Sequence, residues 1–297
     1  LTHAELDAAG SRLAWALRDQ GIGHGDRVVS WADTSLDVLP VFVALTKLGA
    51  VFAPLNARLG SDEAAAVASL ARASLLVVDA AHAEQAQSVA SAAKIPHIGT
   101  YPGASLPSAL LLDPAPLPER GDCNEPDLQE TDPHVVFFTS GSTGRPKGVI
   151  LSHRANYLRG FQGVFRDEPE KTVCMFPLFH MAAFTLALSA WQTRGEIAFV
   201  ASATAEEILA AVERRRANRL YCIPLAWNRI LASDTHRWDL SSLKQLDTGT
   251  SATPIELIQS IKERFPGTQT CVYYGSTEAG SATRLASADV LQKPGSV

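Results

Sequence analysis

The chain has 297 residues, a formal net charge of −5, 46% hydrophobic residues and 19% charged residues. A chain of this size buries roughly three quarters of its unfolded surface, and the composition excludes a disordered or fibrous protein. Its acidity argues against a broad nucleic-acid surface, and its apolar runs stop well short of a membrane span. No signal-peptide pattern opens the sequence. Cys123, Cys174, Cys222 and Cys271 are far apart and read as core thiols of a reducing compartment, so a cytoplasmic location is expected.

The first predicted element is a helix in which Leu6, Ala9, Leu13 and Leu17 share one face, stopped by Gly21 and Gly23. Arg27 to Trp31 reads as a strand, Leu36 to Leu48 as an apolar helix ending before Gly49, and Val51 to Pro54 as the next strand. Ser61 is placed to cap a helix to about Ala71. Leu75 to Asp79 follows as a nearly all-apolar strand and 80–93 as another helix. This alternation predicts a parallel sheet covered on both faces. From Gly99 to Pro133, prolines and the acidic residues Glu119, Asp122, Glu125, Asp127, Glu130 and Asp132 predict a long surface connection. It reads as a crossover between lobes in which only Ala109 to Leu112 is ordered against the core.

The run Val135-Val136-Phe137-Phe138 then empties into Thr139-Ser140-Gly141-Ser142-Thr143-Gly144-Arg145-Pro146-Lys147-Gly148. Glycines let backbone N–H groups turn around an anion, Thr139, Ser140, Ser142 and Thr143 add hydroxyl donors, and Lys147 adds a mobile charge. A passive turn gives no reason to place a lysine beyond so many donors. A Walker loop is excluded, because Pro146 precedes Lys147 and Gly148 stands where the magnesium-binding hydroxyl should be. Val149 to Leu151 restores a strand, and Ser152 caps a helix predicted to reach about Phe165.

Next come a strand over Thr172 to Met175 and, at its end, Phe176-Pro177-Leu178-Phe179-His180-Met181. A buried helix from Leu186 to Trp191, a strand from Ile197 to Val200, and a Thr204/Glu207 capping box for a helix to Arg216 follow. Leu220 to Ile223 is a strand, and Pro224 opens a helix. Leu243 to Leu246 leads into Asp247-Thr248-Gly249-Thr250-Ser251-Ala252. Thr253-Pro254-Ile255-Glu256 reads as a second capping box, and Thr270 to Tyr274 is the last clear strand.

In Tyr274-Gly275-Ser276-Thr277-Glu278 a strand delivers a ring on which a flat base can stack, and glycine turns the chain. Thr277 then offers a donor and Glu278 a carboxylate for Mg²⁺. His180, amid aromatics, reads either as a packing residue or as an imidazole at strand ends that converge on a ligand. No Gly-x-Ser-x-Gly elbow is present.

Residues 139–148 resemble the signature of the adenylate-forming superfamily: acyl-CoA and aryl-CoA ligases, peptide-synthetase adenylation domains and beetle luciferase. Phe176 to His180 and Tyr274 to Glu278 are similar to two further stretches of that family. Residues 248–252 stand where its members commonly have Gly-Gly-Ala or Gly-Gly-Ser, with Thr250 replacing the second glycine. The resemblance covers essentially the whole chain and leans toward bacterial fatty-acid–CoA ligases.

The resemblance implies an α/β fold of two lobes of mainly parallel sheet flanked by helices, interleaved along 1–297, with strand ends facing a shared cleft. It also implies an incomplete N-terminal adenylation domain without its mobile C-terminal domain. The implied reaction converts a carboxylic acid, preferably a fatty acid, to acyl-AMP and then acyl-CoA, with ATP and CoA as co-substrates and Mg²⁺ as cofactor. The alternatives are an acyl-AMP ligase that serves a carrier protein, or a nucleotide-binding fragment with little activity. A homodimer is compatible with each.

The catalytic residues so implied are Lys147, His180, Thr277 and Glu278, with Thr139 and Glu278 on the metal. The nucleotide falls to Thr139, Ser140, Gly141, Ser142, Thr143, Gly144, Lys147, Gly249, Thr250, Ser251, Tyr273, Tyr274, Gly275 and Thr277. Tyr273, Gly275 and Ser276 would border the acid, and Trp227 and Asn228 lie where the family places its acid-binding wall.

Overall fold

The structure, a computed structural model, describes residues 1–139, 146–161 and 168–296. Two units divide it: Leu1–Tyr157 with Leu178–Met181, and Leu158–Pro177 with Ala182–Val297.

In the first unit α1 (His3–Asp19) opens on a reciprocal cap. Glu5 N–H donates to Thr2 Oγ1 (3.1 Å) and Thr2 N–H to Glu5 Oε2 (2.7 Å). Its buried stripe includes Leu6, Ala9, Leu13 and Leu17, as predicted. There follow β1 (Arg27–Trp31), α2 (Val38–Leu48), β2 (Val51–Pro54), α3 (Ser61–Ala71), β3 (Leu75–Val78), α4 (Ala86–Ala93), β4 (His97–Thr100), β5 (Leu110–Leu111), β6 (Pro133–Thr139) and β7 (Lys147–Ser152). α2 is nearly all buried and ends in Gly49, whose φ of 66° is a left-handed cap that glycine adopts without strain. Gly60, not Ser61, occupies the cap of α3, and Ser61 is its first helical residue.

These strands form one sheet, ordered β5-β4-β3-β1-β2-β6-β7, parallel except for the antiparallel pair β6–β7. Val28, Val29, Leu76, Val77 and Val78 at its centre are fully buried, which is why these strands read as unbroken apolar runs.

The connection 99–133, expected to cross between lobes, lies in the first unit from end to end. It is strapped to α1 and α2. Arg12 Nε donates to Pro114 O (2.9 Å), Trp15 Nε1 to Gly121 O (3.1 Å), and Lys47 lies 3.7 Å from Asp122. Part of the acidity predicted to be solvated is therefore matched by basic residues beneath it.

β6 carries a buried polar node. Thr46 Oγ1 donates to Phe42 O, so His134 Nε2–H donates to Thr46 Oγ1 (2.7 Å), while Nδ1 accepts from Asn156 Nδ2 (3.0 Å). A second ring proton would face the Asn156 amide donors. His153 stacks on His134 with centroids 4.1 Å apart. Burial, reinforced by His153, pushes the His134 imidazole down to about 3.

In the second unit the order is β8 (Lys171–Cys174), α6 (Met181–Gln192, continuing from the first unit), β9 (Glu196–Phe199), α7 (Ala205–Arg215), β10 (Arg219–Tyr221), α8 (Pro224–Ala232), β11 (Gln245–Gly249), α9 (Ile255–Arg264), β12 (Gln269–Ser276) and β13 (Gly280–Leu285). The sheet runs β13-β12-β11-β10-β8-β9 and is parallel except for β12–β13. Between β7 and β8, α5 (His153–Gly160) passes from one unit into the other, with Ser152 Oγ accepting from Ala155 N–H as the predicted cap.

Both predicted capping boxes of this unit change. Thr204 Oγ1 accepts from Glu207 N–H, but the Glu207 carboxylate takes Ser202 N–H (2.9 Å). Pro254 occupies the cap of α9, and Thr253 Oγ1 turns back to Ser251 O. β12 runs two residues past its predicted end and pairs with β13, a strand the sequence reading missed.

The neutral His134 supplies a pH prediction. Its contribution is complete above the ordinary imidazole value of 6.5 and is lost as pH falls from there toward about 3, because the unfolded chain binds the proton first. Between pH 7 and pH 5 it accounts for about 2 kcal/mol of lost stability. Urea denaturation of His134→Gln should lose that much less over the same interval; equal losses in both proteins would reject the assignment.

Candidate functional site

In the second unit β11 ends beside β12, with Gly249 in register with Tyr273, and β12 runs on to Ser276. A Cβ on Gly249 would stand 2.1 Å from Tyr273 O and 2.8 Å from the Tyr221 hydroxyl, and its φ is 152°. Only glycine fits there, so the end of β11 is bare backbone. Thr250 follows at φ 66°, exposed; a β-branched residue in this region costs about 1–2 kcal/mol. Threonine therefore keeps the left-handed backbone that a glycine would adopt freely.

Tyr273 and Tyr274 point opposite ways, as neighbours in a strand must. Tyr273 is 7% exposed, its ring 5.8 Å from that of Tyr221, whereas Tyr274 is 60% exposed. Tyr273 was expected beside the ligand; its side chain is in the core, and Tyr274 is the available ring. Gly275 does not turn the chain. A Cβ on it would lie 2.0 Å from Gly280 O, so glycine lets β13 close against β12 at a bulge, and the turn comes at 277–279. Ser276 Oγ accepts from Ala279 N–H (3.1 Å), and Arg159 Nη2 donates to Thr277 O (3.1 Å) and Glu278 O (3.2 Å). Glu278 is exposed and Thr277 half-buried on this turn.

Beneath the strands Arg219 bridges two buried carboxylates. Its Nε donates to Asp247 Oδ2 and its Nη1 to both Glu170 oxygens (2.9 and 3.0 Å). Gln245 Nε2 donates to Asp247 Oδ1 (2.8 Å), and Trp227 Nε1 donates to Asp247 O (3.0 Å). Trp227, considered for an acid-binding wall, is thus a fully buried core residue, while Asn228 is exposed on α8.

In the first unit Thr139 pairs with Lys147 across β6 and β7. Lys147 is exposed and lines a hollow of about 560 Å³ that also includes Arg27, Arg72, Phe138 and Ile150. Ser140, Gly141, Ser142, Thr143 and Gly144, predicted to hold phosphate, lie outside the described residues. His180, exposed, immediately precedes α6; desolvation holds its imidazole below the ordinary range.

The family model described as AMP-binding enzyme matches residues 1–297. The chain belongs to the AMP-binding enzyme family. A feruloyl-CoA synthase from an Amycolatopsis species is 33% identical across this whole chain, which spans 58% of that relative's length. An indoleacetate–CoA ligase from Aromatoleum aromaticum is 29% identical, with the whole chain matching 59% of it. The inhibitor-bound N-terminal domain of FACL13 from Mycobacterium tuberculosis shares the fold, with a TM-score of 0.85 at 23% identity over 99% of this chain and 73% of that one.

The two-sheet architecture expected from the adenylate-forming resemblance is therefore the observed one. Within the family's short motifs, this structure brings Gly249 and Tyr273 together on adjacent strands and places Thr277 and Glu278 on one turn. Sequence reasoning missed Arg159 and the Arg219 triad. A signal for the triad existed, since Arg219 opens β10 and Asp247 lies inside β11 with opposite charge.

The glycine geometry is directly testable. Gly275→Ala drives a methyl group into backbone and should cost on the order of 2–4 kcal/mol of stability, whereas Thr250→Gly should gain about 1 kcal/mol by relieving strain. Chemical denaturation of the two variants measures both. A Gly275→Ala protein as stable as its parent would reject the close approach.

Proposed function

We propose that the protein activates a carboxylic acid with ATP and passes the acyl group to coenzyme A. The observation that carries this reading is the end of β12. There an outward-facing Tyr274, the pinched Gly275 and the Thr277–Glu278 turn give a flat stacking surface, a hydroxyl and a carboxylate within five residues, in a chain of the AMP-binding enzyme family. A carboxylate oxygen of the acid attacks the α-phosphorus as its bond to pyrophosphate breaks, giving acyl-AMP. The CoA thiolate then attacks the acyl carbon and AMP leaves.

Tyr274 stacks on adenine, beside the backbone from Gly249 to Ser251, and Thr277 donates to the α-phosphate. Lys147 meets the charge that collects on departing pyrophosphate. His180, held neutral near pH 7, offers a hydrogen bond near the reacting carboxylate without competing as a second cation.

Mg²⁺ fits the residues present. Among the described residues no cluster of three or more metal-binding side chains occurs, and this ion asks for none, because it retains waters and takes one or two protein oxygens alongside substrate phosphates. Glu278 would hold it through a carboxylate oxygen, and it would neutralise phosphate charge.

An aryl-substituted acid is proposed ahead of the fatty acid expected from the sequence. The names of the feruloyl and indoleacetate enzymes support it. Of the apolar stretch 220–227, Leu220, Cys222 and Trp227 are fully buried and give no surface to a fatty chain. Four free, buried cysteines and the absence, among the described residues, of a helix long and apolar enough to cross a membrane suit a cytoplasmic enzyme.

Acid-dependent formation of acyl-CoA and pyrophosphate by the protein at its natural length, assayed over aryl and fatty acids with CoA present or omitted, tests the reaction; no turnover of any acid would reject it. Lys147→Ala separates the steps. Formation of acyl-AMP should slow about ten-fold or more, while transfer from supplied acyl-AMP to CoA stays near the parent rate. Equal damage to both steps in a folded protein would withdraw the assignment to pyrophosphate.

A further inference from the structure

Arg159 is the second residue from the end of α5, and nothing in the short motifs points to it. Its Nη2 reaches the carbonyl oxygens of Thr277 and Glu278 at 3.1 and 3.2 Å, joining residues 118 and 119 positions away in sequence. The guanidinium lies along the turn, with Nε and Cζ 3.5 Å from where a Cβ on Gly280 would stand. Nε and Nη1 are buried and have no hydrogen-bond partner among the described residues. An arginine in a structural ion pair spends its fork on a carboxylate. This one sets a single nitrogen, Nη2, on two backbone carbonyls.

We propose that Arg159 is a positioning residue for acid activation: by clamping the carbonyls of Thr277 and Glu278, its guanidinium fixes the turn that presents the Thr277 hydroxyl and the Glu278 carboxylate. The inference rests on the roles given to Thr277 and Glu278 above. Two carbonyl contacts from one planar group restrain two successive peptide planes, so the side chains between them keep one orientation. Burial disfavours the charged guanidinium, and no carboxylate offsets that cost among the described residues. Such a cost is retained where position matters more than stability. The uncompensated charge also lies under the turn that is to receive phosphate and metal.

A purely structural clamp would serve only the β12–β13 hairpin, and the two roles separate experimentally. Arg159→Met keeps the side chain's length and removes its donors; Arg159→Lys keeps the charge and part of the donor set. Amide exchange over 276–280 reads the clamp without turnover and should speed up about ten-fold in Arg159→Met. In the protein at its natural length, acid-dependent ATP–pyrophosphate exchange should lose about ten-fold in kcat, with KM for the acid little changed and the Mg²⁺ concentration for half-maximal rate raised. Lysine should restore part of the loss.

If the guanidinium acts through the turn, Arg159→Met and Glu278→Gln combined should cost less than the product of their separate losses. Losses that multiply, or an unmoved Mg²⁺ dependence in Arg159→Met, would overturn the inference. Should Arg159→Met not fold, Arg159→Lys carries the same cycle. Glu278→Gln at the parent rate would overturn the reading of the turn itself, whereas a slow Glu278→Gln beside a normal Arg159→Met would overturn the role of Arg159 alone.

Discussion

Arg219 lies in the interior of the second unit with a carboxylate on either side, and the order of that sheet follows from how completely the three charges are satisfied. Removing ions from water costs several kcal/mol each, which only good geometry and further hydrogen bonds repay. Both are present here. Arg219 meets Asp247 through Nε and both oxygens of Glu170 through Nη1, and the Gln245 amide completes the Asp247 carboxylate. Burial by itself would lower the Arg219 value, but Asp247 and Glu170 outweigh it and hold the guanidinium above its usual range. Deleting the Arg219 charge would leave two buried carboxylates without their cation, at a cost of about 3–5 kcal/mol.

The triad reaches the functional end of the sheet through backbone. Arg219 begins β10, Glu170 directly precedes β8, and Asp247 lies in β11, so one cation ties three neighbouring strands. Asp247 is two residues before Gly249. Its carbonyl also accepts Cys222 N–H and the Trp227 indole, which pins the start of α8 to the same point. Tyr273 rests on Arg219 at 5.9 Å, and its own carbonyl closes over Gly249. The exposed Tyr274 is thus delivered by a strand whose inward side is fixed by aromatic and ionic packing, as a stacking surface requires.

Most of the fold was legible because its central strands are buried on both faces and so appear as apolar runs, while the helices between them carry periodic stripes and glycine stops. The failures have a common origin. β4 contains His97 and Gly99 and becomes a strand because β3 pairs with it; β13, Gly-Ser-Ala-Thr-Arg-Leu, becomes one because β12 does. Pairing across space decides such weak segments, and sequence does not display it. Gly275 looked like a turn residue because glycine permits turns, but here it permits a close approach of two strands. Thr250 was rightly seen as the departure from the usual pattern, although only the backbone shows that it keeps a glycine-like conformation at a cost. Arg159 resembled any solvated helical arginine, and its partners lie more than a hundred residues away.

The claim on which everything functional rests is that the end of β12 receives an adenylate through Tyr274. Calorimetric titration of the protein with a non-hydrolysable aryl-acyl-AMP mimic tests it without relying on turnover. Saturable binding is expected, weakened about ten-fold by Tyr274→Ala, since stacking of a base on an aromatic ring is worth about 1–3 kcal/mol, with unfolding unchanged because the ring is exposed. Absence of binding, or equal affinity in the folded Tyr274→Ala protein, would contradict it.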